Sequence, residues 1–144
     1  MKLYDYKPEK SQYGLSIKDS SKDSNRYMSD QLAKKKFILN FKSDIPTGIE
    51  ENDNVYCELF TKYDSNSKYG QELIKKRRCQ EKENTVILLH GFGTEEERSY
   101  NYYKFIENLI KNGFSCLFIN LPFHLKRTPK KEKSGARLIY FDDK

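Results

Sequence analysis

No apolar run in this chain approaches the roughly 20 residues that a helix needs to cross a bilayer. The opening Met1-Lys2-Leu3-Tyr4-Asp5-Tyr6-Lys7 also lacks the hydrophobic stretch of a secretory signal. A soluble, cytoplasmic protein without a membrane partner is expected. Arginine is scarce, 6 residues against 21 lysines, although arginine is the side chain suited to bidentate phosphate recognition. The net charge of +6 is spread along the chain. Residues 1–84 carry 17 basic and 14 acidic groups, and residues 85–144 carry 10 and 7. With no strongly basic tail and no aromatic interleaving of the basic residues, a nucleic-acid partner is not expected. The cysteines number three, Cys57, Cys79 and Cys116, and none stands at metal-knuckle spacing. Cys57 and Cys116 lie in apolar runs, where a free thiol behaves as a small hydrophobe. A reducing compartment follows, and neither metal nor cofactor is expected.

Large apolar groups are sparse before residue 36 and dense between 85 and 121. Residues 1–36 read as an irregular or only locally helical segment, with a polar loop over Asp19-Ser20-Ser21-Lys22-Asp23-Ser24-Asn25. Residues 37–144 read as one α/β unit. Phe37, Leu39 and Phe41 alternate on one face of a strand from 37 to 43, and Val55 to Phe60 forms a second. The turn-rich stretch between them predicts an antiparallel pair. Residues 61–84, which include Lys75-Lys76-Arg77-Arg78, predict a solvated connection or short helix.

Val86-Ile87-Leu88-Leu89 is a continuous apolar run, typical of a parallel strand covered on both faces. His90-Gly91-Phe92-Gly93 breaks it, and Glu95-Glu96-Glu97 suits the approach to a helix N-terminus. Tyr102, Phe105, Ile106, Leu109 and Ile110 recur at helical spacing, with Gly113 as a stop. Ser115 to Ile119 is a further strand, closed by Asn120-Leu121-Pro122. Strand, loop, helix and strand make a βαβ unit with a right-handed crossover. Two glycines after a buried strand bring main-chain N–H groups close to a ligand, and such donors stabilise the oxyanion of acyl transfer. A plain strand-to-helix turn is the other reading of the same four residues.

Thr85-Val86-Ile87-Leu88-Leu89-His90-Gly91-Phe92-Gly93 resembles the third strand and oxyanion loop of the α/β-hydrolase family. Leu121-Pro122-Phe123-His124-Leu125-Lys126-Arg127-Thr128-Pro129, followed by Ser134-Gly135, resembles a bacterial esterase-like subgroup. The likeness spans residues 37 to 140 and is concentrated between 85 and 135. It implies an incomplete three-layer α/β-hydrolase sheet of four strands and one crossover helix. In the family order the third strand lies between the fourth and fifth, so strand 85–89 would become an uncovered edge here. The likeness also implies that the Phe92 backbone N–H faces the oxyanion. His90, Gly91 and Gly93 would support the loop, and a side chain at Gly91 would crowd a turn that needs positive φ. His124 would shape the rim rather than act as base. Arg127 would sit with Lys126, Lys130, Lys131, Lys133 and Arg137 in a solvated basic loop beside the substrate.

The family nucleophile, Gly-x-Ser-x-Gly, is absent from the chain. Ser134 is preceded by Glu132-Lys133 in a polar stretch read as flexible, and the acid and base that follow the nucleophile are missing too. The expectation is a truncated or split hydrolase, inactive alone, whose partner is a C-terminal half encoded downstream and whose completed site takes a small acyl substrate. The alternative is a non-catalytic interaction protein that keeps part of the scaffold. A dinucleotide site is disfavoured, because Glu96 stands where the third glycine of Gly-x-Gly-x-x-Gly belongs.

Overall fold

The computed structural model describes residues 16–19, 26–75 and 84–139. Cys79, Lys76-Arg77-Arg78, residues 20–25 of the polar loop and residues 140–144 lie outside the described residues. Among the described residues, five strands form one mixed sheet: β1 Ser16–Asp19, β2 Lys36–Lys42, β3 Asn54–Phe60, β4 Thr85–Leu89 and β5 Ser115–Ile119. Their spatial order is β1-β2-β3-β5-β4. The helices are α1 Asp30–Ala33, α2 Glu50–Asp53, α3 Lys68–Ile74, α4 Ser99–Lys111 and α5 Ala136–Ile139. The arrangement is of the α/β type. Among the described residues, no helix is long and apolar enough to cross a membrane.

The segment before residue 37 contributes more than an irregular lead. Ser16–Asp19 adds a fifth strand by pairing antiparallel with β2, Ser16 opposite Asn40. In α1, the Ser29 side chain caps the helix by accepting the Leu32 N–H at 3.2 Å. β2 and β3 form the expected antiparallel pair, Lys36 opposite Phe60 and Lys42 opposite Asn54. Between them the Asp53 carboxylate accepts from the Thr47 N–H and hydroxyl, both at 2.7 Å, and from the Gly48 N–H at 2.9 Å. Those donors, the Thr47 hydroxyl foremost, hold the Asp53 carboxyl below its ordinary range.

β4 and β5 run parallel, Thr85 opposite Ser115 and Leu89 opposite Ile119, with α4 crossing between them. Gly113, at φ 82°, closes α4. Its N–H donates to the Ile110 carbonyl at 3.0 Å, and the Phe114 N–H to Leu109 at 3.1 Å. This left-handed cap satisfies carbonyls that the helix end would otherwise strand. The buried side of α4 is Ser99, Tyr103, Ile106 and Ile110. Phe105, placed on the apolar face by its spacing, is 49% exposed.

The strand registers put Phe60, Cys116 and Phe118 on the sheet face that meets α4 and α1. Together with Tyr103, Ile106, Ile110, Met28, Leu32 and Ala33 they form the core. Each large apolar side chain fully buried there contributes roughly 1.5–3 kcal/mol. On the opposite face Phe37 and Cys57 are buried, but Ile87 is 63% and Leu89 52% exposed. β4 is therefore an edge strand with one open face, not a strand covered on both sides. Among the described residues, the third layer expected over that face is not built at β4.

Candidate functional site

β4 delivers its last residue directly into the His90–Gly93 loop, and the chain leaving β5 folds back over it. His90 is buried, and its Nε2 accepts the Leu121 N–H at 3.1 Å. An acceptor nitrogen carries no proton, so the proton sits on Nδ1 and is donated to the Gly91 carbonyl at 2.9 Å. Burial, the largest cause, holds the His90 imidazole below its ordinary pKa. The Gly91 carbonyl opposes this, and the neighbouring His124 adds to it.

His124 repeats the arrangement from the other side. Its Nε2 accepts the Gly93 N–H at 3.0 Å, and Nδ1 lies 2.7 Å from the Pro122 carbonyl, to which it donates. The two rings lie 5.0 Å apart. His124 is only 1% exposed, so it is a buried clasp rather than part of an open rim. Gly135, at φ 79°, packs so closely that a Cβ there would stand 2.6 Å from His124 Nε2.

Within the loop, the Gly91 N–H donates to the Tyr102 hydroxyl at 2.9 Å, and the Thr94 hydroxyl donates to the Gly91 carbonyl at 2.7 Å. With Gly91 and Gly93 both engaged, the Phe92 N–H between them has no acceptor among the described residues. The Phe92 ring is 60% exposed and lies edge-on to His124. The positive φ falls on Gly93, at 64°, and not on Gly91, where a Cβ would meet only Tyr102 Oη at 3.7 Å. The crowding expected at Gly91 is thus misplaced: the backbone constraint belongs to the next glycine, Gly93.

Arg127 is also placed differently from expectation. It is buried, and its guanidinium donates to the Asn52 carbonyl from Nε at 3.0 Å and Nη2 at 2.6 Å, and to the Asn120 carbonyl from Nη1 at 3.1 Å. It ties α2 to the end of β5 and presents no open face to a substrate. Burial lowers its pKa, yet its charge is distributed over three hydrogen bonds. The rest of the stretch is ordered too. Lys126 pairs with Glu96 at 2.6 Å, and Arg137 forks onto Glu132. Ser134, expected in a flexible loop, donates to the Thr94 carbonyl at 2.5 Å and accepts the Leu125 N–H at 3.2 Å. Phe123, Leu125 and Lys131 all hold positive φ. Non-glycine residues keep that conformation only where their surroundings over-determine it.

Asn52, Asn120 and Tyr102 carry this architecture without a sequence signal. The Asn52 side chain accepts the Phe123 N–H at 2.9 Å, and that of Asn120 accepts the Lys126 N–H at 3.1 Å. Among the described residues, no three His, Cys, Asp or Glu side chains converge as metal ligands. Chemically, the site offers the Phe92 main-chain N–H, without an acceptor among the described residues, on a loop clamped by His90 and His124. Compared with protein-family models the chain matches none, and no curated protein matches its sequence.

Proposed function

We propose that this chain supplies the oxyanion-loop part of a serine-hydrolase-type site, with nucleophile, acid and base contributed by residues outside these 144. The observation that carries the reading is the Phe92 N–H, left without an acceptor among the described residues while both flanking glycine N–H groups are engaged. An oxyanion hole of this type takes a second donor from the residue after the nucleophile, so a single donor here is half a site. The order β2-β3-β5-β4 adds support, because it leaves β4 at the edge, where the nucleophile-bearing strand of the family would pair. The completed site would act on a small carboxylic ester.

Alone, the chain should neither hydrolyse esters nor be labelled by a fluorophosphonate. Co-expression with a downstream polypeptide carrying Gly-x-Ser-x-Gly, Asp and His should restore turnover. Stoichiometric labelling of Ser134 in the lone chain would overturn the proposal. The second reading, a non-catalytic interaction protein, draws on the same exposed β4 edge, and it gains if assembly with that polypeptide occurs without turnover.

A further inference from the structure

A cavity of about 620 Å³ opens on the α4 face of the sheet. It is bounded by residues that follow the carboxyl ends of both parallel strands, Glu96 and Ser99 after β4, Asn120 and Lys126 after β5. Ligands of α/β sheets gather at such ends. The floor is the buried pair Lys36 and Glu58, 3% and 5% exposed, with Nζ 3.7 Å from Oε1. The Tyr103 hydroxyl donates to Glu58 Oε2 at 3.0 Å. Burial pushes the Glu58 carboxyl above its ordinary range, with Lys36 as the main opposing influence.

An ion pair taken out of water is expensive, and an apolar pair of similar size commonly serves stability as well or better. Neighbouring positions on this face, Phe60 and Phe118, are apolar and part of the core. Packing therefore gives no reason for ionised groups at 36 and 58, and here they are the floor of an open cavity. The walls are aromatic: Tyr27, Tyr56, Tyr103 and Phe118. At the mouth stand Arg26 and Lys126, whose side chains are 75% and 56% exposed. Their partners, Glu97 at 4.0 Å and Glu96 at 2.6 Å, are exposed as well. Such exposed surface pairs contribute little, so an incoming anion can replace a carboxylate at little loss. Each cation among the described residues around the cavity has a carboxylate partner, but the Lys36–Glu58 pair is buried, whereas the pairs of Arg26 and Lys126 at the mouth are exposed and exchangeable.

We propose that this cavity binds a small organic anion, a carboxylate carried on an aromatic body, with the ring between the tyrosines and the charge at Arg26 and Lys126. None of the residues that form it belongs to the His90–Gly93 loop, and His124 takes no part. The proposal stands apart from the hydrolase reading, and its test reads binding rather than turnover.

The probe is 4-fluorobenzoate, with 4-fluorobenzyl alcohol as its neutral counterpart, observed by fluorine NMR with the full chain. The carboxylate should give saturable broadening at concentrations on the order of millimolar. The alcohol should bind at least about 10-fold more weakly, and the Arg26→Ala/Lys126→Ala double variant should lose about as much affinity for the carboxylate. Both substituted side chains are exposed, so an unchanged circular dichroism spectrum separates lost binding from lost fold. Equal responses to the two probes would refute the proposal, as would undiminished binding by the folded double variant or no saturable response from the folded wild-type chain.

Discussion

His124 Nε2 and the Gly93 N–H, 3.0 Å apart, join the strand-to-helix loop after β4 to the segment that follows β5. Gly135 seals the contact from behind, and only a glycine fits there. A Cβ would strike the imidazole at 2.6 Å while the backbone holds φ 79°. Gly135→Ala is expected to lower stability by roughly 2 kcal/mol, since left-handed backbone alone costs about 1–2 kcal/mol in an L-residue. A urea midpoint unchanged from wild type would show that the clasp is not needed for folding.

The two glycines of the loop should differ in the same assay. Gly93→Ala meets no neighbour but forces a side chain onto φ 64°, whereas Gly91→Ala meets only an ordinary contact with Tyr102. Gly93→Ala should cost about 1–2 kcal/mol and Gly91→Ala markedly less. In the reconstituted pair, displacing the Phe92 donor should lower turnover roughly 100- to 1,000-fold. Phe92→Ala, which keeps the backbone N–H, should lose far less.

Stability should also fall in acid through His90. Its folded pKa lies below the ordinary value of 6.5, chiefly through burial. Above that value the group is neutral whether folded or unfolded, and its contribution is complete. As the pH falls below it, the unfolded chain takes up the proton first, and stability is lost until the folded pKa is reached. Melting temperatures between pH 7.5 and 5 should decline, and His90→Gln, which can still accept the Leu121 N–H, should flatten that part of the profile.

The buried pair offers a fourth test. Glu58→Leu leaves Lys36 as a buried charge and should destabilise by about 3–5 kcal/mol. Adding Lys36→Met should recover most of the loss. Additive losses in the double variant would mean that the two groups are stabilised by other contacts and not by each other.

Much of the architecture is legible from residue order. The alternation of Phe37, Leu39 and Phe41 and the continuous run Val86 to Leu89 gave correct strands, because side-chain period and apolar continuity are local properties. β1 has no sequence pattern, since Ser16-Ile17-Lys18-Asp19 has one apolar residue and is held by backbone pairing with β2. The apolar spacing of α4 points to Phe105, yet Tyr103, whose hydroxyl finds Glu58, takes the buried position. The basic stretch after β5 looked solvated because its order depends on carbonyls of distant residues, such as Asn52 for Arg127, and these leave no local pattern. The two glycines mark a tight turn, but the sequence does not say which of them bears the positive φ, because that depends on how the loop is held against Tyr102 and His124.

The exposed edge should govern behaviour in solution. Ile87 and Leu89 sit on β4 with no strand beyond them among the described residues, and an apolar edge without lysine or proline invites pairing between molecules. Sedimentation velocity should show association of the wild-type chain and a shift toward monomer in Leu89→Lys. Persistent association in that variant would locate the contact elsewhere.

Synthesis from the N-terminus gives the sheet two different histories. β2 and β3 are joined through a short connection and can pair as soon as both have left the ribosome. β4 emerges with no partner ready, because the strand beside it, β5, follows only after the whole of α4. During that interval Val86 to Leu89 is an apolar segment awaiting its neighbour, a stage at which partly made chains are prone to aggregate. The pairing of Cys57 with Ile119 then joins the two halves of the sheet late, as contacts between distant parts of a chain form slowly.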